Sequence, residues 1–262
     1  MFKNLQVFFF EHFKSLKIFY NESRTFERRK YVKKIFLIGD SIRIGYDKFV
    51  KSSLENLAEV YFSEENNMYS THVLRNVHNM MDWHRVYDVD AVHFNAGLWD
   101  TVRIYGDDPL VSPENYAENI RRIVKRIKFL FPDAKIIFAT STPCLEEDFF
   151  TDFEYRTNSD IELYNKIASE IVLSEGGIVN DLYSAIKDRP DLHSDQTHYY
   201  TAEGIEILGN KVISCLCEAL ELDKSLVIDR KGSDFVFDWV KDIKNDKDAY
   251  EKIGHIYKLK EN

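Results

Sequence analysis

The chain has 262 residues, 44% of them hydrophobic, with a formal net charge of −9. That length suits one large domain with appendages, and the apolar share is enough for a sizeable core. An acidic balance without a basic stripe argues against nucleic acid as a partner, and three cysteines, Cys144, Cys215 and Cys217, do not make a disulfide framework.

Residues 1–30 are aromatic and then basic, ending Glu27-Arg28-Arg29-Lys30. Leu5, Phe8, Phe9, Phe13, Leu16 and Phe19 recur as a helical stripe. This reads as an extra helix packed on the domain or on a second copy. The alternative is a membrane-surface helix within residues 1–20, because Lys3, Lys14 and Lys17 interleave with the aromatics. The apolar run Val7-Phe8-Phe9-Phe10 is too short for a membrane span or a signal peptide, so a cytoplasmic protein is expected, with its cysteines reduced.

From residue 33 strands and helices alternate. Strands are predicted over 34–39, 58–62, 90–95, 134–140 and 177–180, and helices near 43–54, 69–81, 113–131, 159–175 and 201–221. Ser112 and Pro113 form a cap and first turn; Asn158 or Ser159 caps the next helix, and Gly176-Gly177 ends it. Cys215 and Cys217 lie two apart on the last helix, cannot share a face, and read as core or surface thiols. Such alternation implies a parallel sheet covered on both faces. After Leu222 it stops: the remainder is charged, with aromatic islands at 235–239 and 250–257. The expected division is an N-terminal extension over 1–32, a core domain over 33–222 and a C-terminal extension over 223–262.

Chemistry concentrates at Ile38-Gly39-Asp40-Ser41-Ile42, directly after the apolar run 34–38. A serine just past a buried strand stands where open α/β sheets bind ligands. Asp195-Gln196-Thr197-His198, far downstream, supplies a base and a carboxylate three residues apart. Together they offer the parts of a nucleophile–base–orienter set: Ser41 Oγ attacks, His198 Nε2 takes its proton, and Asp195 holds His198 Nδ1. Asp40 reads as structural, its carboxylate accepting local backbone N–H groups at the turn.

These blocks resemble those of the SGNH (GDSL-like) hydrolase superfamily. Gly39-Asp40-Ser41-Ile42 looks like its first block, Asp195-x-x-His198 like its last, and Gly97-Leu98-Trp99-Asp100 partly matches its third, Gly-x-Asn-Asp. Order and spacing agree over roughly residues 33–221, and Thr201-Ala202-Glu203-Gly204 is a typical helix start after the family's histidine. The resemblance implies a flavodoxin-like three-layer α/β/α sandwich around a parallel sheet of about five strands. It also implies a Ser–His–Asp esterase that needs no cofactor.

The sequence departs from the family at the oxyanion hole. Ser41 N–H is one expected donor. The second-block glycine has no counterpart, since no glycine lies between Gly45 and Gly97. The equivalent loop is 64–69, where Asn66, Asn67 or a backbone N–H would serve. The third-block asparagine is replaced by Trp99, which donates only through its indole N–H or walls the pocket. Asn95, two residues before Gly97, is the other candidate amide.

Arg43 reads either as an anion clamp or as a helix-surface cation. Arg156, after the fourth strand, is a candidate substrate contact, with Trp99. His72, His78, His84 and His93 show no metal-ligand spacing; His93 reads as a core histidine, and no metal is expected. The resulting reading is a serine esterase for a short acyl group, acetyl first, on a carbohydrate or other polar alcohol. A lysophospholipase or thioesterase, an acyltransferase and a non-catalytic glycan-binding protein are the alternatives. The expected partner is thus a small-molecule or glycan ester.

Overall fold

The computed structural model describes residues 32–146, 154–238 and 240. From residue 33 the chain starts with β1 (Lys33–Ile38) and α1 (Ser41–Ser53), then β2 (Ala58–Phe62). Two short helices follow, α2 (Ser70–Asn76) and α3 (Asn79–His84), then β3 (Ala91–Phe94) and β4 (Arg103–Ile104). Next come α4 (Pro113–Leu130), β5 (Lys135–Ala139), β6 (Glu154–Tyr155) and α5 (Asn158–Ser174). The chain then forms β7 (Ile178–Asn180), α6 (Leu182–Ile186) and α7 (Ala202–Leu220).

Five strands form one sheet in the order β2-β1-β3-β5-β7, every pair parallel. Alternation along β1 sorts the core. Ile35 and Leu37 join α1, α6 and α7 on one face; Phe36 and Ile38 join α2, α4 and α5 on the other. All four side chains are fully buried. At about 1.5–3 kcal/mol for each large apolar side chain taken out of water, the two faces together hold the sandwich. The fold is the three-layer α/β/α sandwich that the resemblance implied, with the parallel sheet covered on both faces that the pattern predicts.

All five predicted strands and four of the five predicted helices stand at the expected places. The helix predicted over 69–81 is instead two, separated at Val77-His78. Ser112 caps α4 by accepting from Asn115 N, with Pro113 at its start. Thr157, not Asn158 or Ser159, caps α5, its hydroxyl accepting from Asp160 N at 3.1 Å. Asn158 instead grips both backbone groups of Cys144, tying the helix start to the loop after β5.

β4 and β6 make a two-residue antiparallel pair outside the main sheet. Arg103 anchors it with a two-pronged bond to Asp160 at the start of α5, at 2.7 and 3.1 Å. The described part of the C-terminal extension is not detached: Val227, Phe235 and Val236 pack against the α1–α7 core. The stripe in 1–20 and the island at 250–257 lie outside the described residues. Cys144 and Cys217 are buried and Cys215 partly so, and all three thiols are free.

Candidate active site

The Ser41 turn is built by one carboxylate and one missing side chain. Asp40 caps α1 through Ile42 N at 2.9 Å, which makes Ser41 the first helical residue. The first N–H groups of a helix lack intrahelical partners, so Ser41 N–H faces outward at the positive end of α1. Asn95, from the adjacent strand end, donates Nδ2 to Asp40 Oδ1 at 2.7 Å, while Asn95 N donates to Ile38 O. A Cβ on Gly39 would lie 1.8 Å from Asn95 Oδ1, so residue 39 has to be glycine for Asn95 to sit there. Burial pushes the Asp40 carboxyl up, against the hydrogen bonds of Asn95 and Ile42.

The downstream loop delivers base and carboxylate as one local unit. Asp195 Oδ1 accepts from Thr197 N and His198 N, both at 2.8 Å. His198 Nδ1 meets the two Asp195 oxygens at 2.9 and 2.8 Å. Ser194 N closes the loop on His198 O at 2.7 Å. Burial raises the Asp195 carboxyl, but the His198 hydrogen bond, its charge and the two backbone donors outweigh that and hold it below the ordinary carboxylate range. An ionised Asp195 fixes the proton on Nδ1, leaving the Nε2 lone pair to accept. Ser41 Oγ lies 2.7 Å from His198 Nε2. The structure therefore brings Ser41, His198 and Asp195 into one hydrogen-bonded chain across 157 residues of sequence.

The oxyanion candidates separate. Asn95 is fully buried beneath the turn, and its amide donor is engaged by Asp40. Its amide thus serves the Asp40 turn, where the sequence-based expectation had it serving the oxyanion. Asn67 is also fully buried and spends Nδ2 and its backbone N–H on Gly39 O, at 3.2 and 3.1 Å. Those bonds pin the 64–69 loop beside the Ser41 turn. Asn66 is half-buried and accepts from Met68 N at 3.0 Å through Oδ1, which leaves its Nδ2 outside that bond.

Arg43 is neither an anion clamp nor a surface cation. It is 1% exposed, paired with Asp47 at 2.5 Å, and donates to Ser63 O and Glu65 O at 2.7 and 2.8 Å. It staples α1 to the loop after β2.

The third block makes a wall. Gly97 takes a positive φ of 133° to turn the chain off β3. Asp100 accepts from Ser70 N and Ser70 Oγ, which fastens the start of α2 to this turn; burial pushes its carboxyl up to about 6. Tyr69 thereby meets the edge of Trp99 at 5.8 Å, and the Arg156 guanidinium lies 5.5 Å over the same ring. Arg156 donates Nε to Leu98 O at 2.8 Å, with Nη2 3.5 Å from Glu154. Trp99 and Arg156 thus do meet, at the carboxyl edge next to the strand that carries Ser41.

His93 is a buried core residue, as its strand position implied: Nε2 meets Asn180 Nδ2 at 3.1 Å, and burial lowers its pKa to about 3. Sequence reasoning missed Tyr200, whose ring stacks on His198 and whose hydroxyl bonds Ser41 O. Its position two residues past the histidine was the available signal.

No family model matches the chain, and no curated protein matches its sequence. Solved structures do match its fold. The acetyl xylan esterase AlAXEase aligns with a TM-score of 0.55 at 15% identity, covering 70% of this chain and 99% of that one. An acetyl xylan esterase variant from Geobacillus stearothermophilus aligns at 0.53 and 15%, over 76% and 97%. A GDSL-like lipase from Bacteroides thetaiotaomicron aligns at 0.55 and 16%, over 78% and 97%. The chain shares its fold, a five-stranded parallel sheet between helices, with these esterases and this GDSL-like lipase.

Proposed function

We propose that the chain is a serine esterase that removes a short acyl group, acetyl first, from a carbohydrate or other polar alcohol. The observation that carries this is the hydrogen-bonded chain Ser41–His198–Asp195 at the head of α1. His198 takes the Ser41 proton as Oγ attacks the ester carbonyl. Asp195 stabilises the imidazolium that forms. The proton then returns to the leaving alcohol, and water resolves the acyl-enzyme by the same route. Ser41 N–H, at the positive end of α1, is one donor to the oxyanion. The second comes from the loop pinned to Gly39 O, with Asn66 Nδ2 as the side-chain candidate. Trp99 and Arg156 border the substrate. Two matched structures are acetyl xylan esterases, which favours acetyl and a carbohydrate alcohol; the GDSL-like lipase among the matches keeps a lipid ester as the rival. Among the described residues no helix is long and apolar enough to cross a membrane.

The test combines a fluorophosphonate probe with chain-length profiling on nitrophenyl esters. The expected results are one adduct on the Ser41 peptide, turnover falling from C2 to C8, and loss of both in Ser41→Ala with its thermal midpoint kept. A preference for C8 would support the lipid rival. A wild-type protein that takes no label would make this a binding module.

A further inference from the structure

The first C-terminal aromatic island reaches Tyr200, which touches the catalytic candidates. The segment after α7 first crosses the far end of α1, where Ile228 N donates to Ser53 O at 2.9 Å. Gly232 N then donates to Glu206 Oε1 on α7 at 2.6 Å. Phe235 meets the Phe49 ring edge-on at 5.5 Å, and Phe237 lies tilted against Tyr200 at 4.8 Å. Tyr200 is 6% exposed and touches both partners of the proton transfer. Its Oη donates to Ser41 O at 2.6 Å, and its ring stacks on His198 at 4.6 Å and 21°. Burial raises the phenol far above its ordinary range, so that proton stays in place as a donor. Residue 45 is glycine where this ring crosses α1, since a Cβ there would lie 2.6 Å from Tyr200 Cε1.

We propose that Tyr200, braced by Phe237, is a positioning residue for the Ser41–His198 pair, and that residues 224–238 are the strap that holds it in place. The proposal rests on the esterase reading above. One side chain fixes two coordinates: the hydroxyl sets the backbone of the nucleophile, and the ring sets the plane of the imidazole. A ring face over the imidazole also favours the imidazolium formed when Ser41 gives up its proton. That interaction is stronger in the transition state than in the ground state, so its loss falls on kcat. The C-terminal segment thereby reaches the reaction without supplying a reacting group.

The test uses the full chain with nitrophenyl acetate, measuring kcat, KM and the thermal midpoint. In Tyr200→Leu, kcat is expected to fall about 10²-fold with KM within about threefold, the signature of lost positioning. Tyr200→Phe keeps the ring but loses the bond to Ser41 O, so it should recover only part of that loss. Phe237→Ala should cost about tenfold in kcat, and Phe237→Tyr should restore it. If Tyr200→Leu does not fold, the half-buried Phe237 pair carries the test. Folded Tyr200→Leu and Phe237→Ala proteins with kcat within about twofold of wild type overturn this inference alone. A wild type that neither turns over nor takes the phosphonate label overturns the esterase reading and this inference with it.

Discussion

Gly39→Ala places a methyl group 1.8 Å from Asn95 Oδ1 and 2.7 Å from Asn95 Cγ, far inside contact distance. Asn95 is fully buried, so its side chain cannot swing into solvent. It must rotate within the core, and the 2.7 Å bond to Asp40 breaks. Overpacking of this kind costs about 1–3 kcal/mol, and losing a hydrogen bond to a buried carboxylate adds about 1.5–3 kcal/mol. Gly39→Ala should therefore destabilise by about 2.5–6 kcal/mol, a large part of the usual 5–15 kcal/mol of a domain. Asn95→Ala alone should cost about 2–4 kcal/mol through the same lost bond and a cavity. The double variant is the decisive one. With Asn95 truncated the methyl group's nearest remaining neighbour is Arg43 Cβ at 3.2 Å, a tight contact but not a clash, so the double should be close in stability to Asn95→Ala. Urea unfolding of the four proteins measures this as a coupling of several kcal/mol. Effects that add within about 0.5 kcal/mol would mean that the two residues do not share this contact.

His93 should make the protein acid-sensitive. Burial holds its pKa near 3, so the unfolded chain binds a proton between there and about 6.5 that the folded chain refuses. Stability then falls as pH drops through that window, by at most roughly 5 kcal/mol; His93→Leu should flatten this part of a urea-midpoint profile, and an unchanged slope would contradict the assignment. Asp195 works with the same sign in a lower window. Its carboxyl is held below the ordinary range, so its contribution is complete above about pH 4 and fades as pH falls further. Asp195→Asn should lower kcat about 10⁴-fold while the wild-type stability advantage shrinks only below about pH 4; an advantage that shrank instead from pH 7 to 5 would show that another group is responsible.

The fold was readable because its signal is periodic. The period is that of the elements: short runs apolar at every position, such as Ile35-Phe36-Leu37-Ile38, suit strands covered on both faces, and helices recurring between them favour parallel pairing. The exceptions follow from physics that the pattern does not carry. The 69–81 segment keeps helical composition throughout, yet Asp100, thirty residues on, fixes where α2 starts, and α3 begins afresh after Val77-His78. The β4–β6 pair is two residues per strand, too short for any periodicity, and is held by Arg103 on Asp160.

The site divided along another line. Ser41, Asp195 and His198 were legible because their geometry is local: one turn after one strand, and one carboxylate three residues from its imidazole. Asn95, Asn67 and Arg43 could not be placed from sequence because a polar residue beside the Ser41 turn has two uses that look alike there. It can point up at the substrate or down to satisfy the turn. Here all three point down. Asp40 is a fully buried carboxylate and draws Asn95 beneath it; Gly39 O needs donors and draws Asn67; Asp47 and the carbonyls after β2 draw Arg43. A buried carboxylate or carbonyl without partners costs several kcal/mol, more than a donor waiting for an absent oxyanion gains in the folded chain. Stability therefore claims the nearest amides first. On the esterase reading proposed above, that leaves the backbone N–H of Ser41 at the head of α1 and the half-buried edge of the 64–69 loop as the donors for the oxyanion.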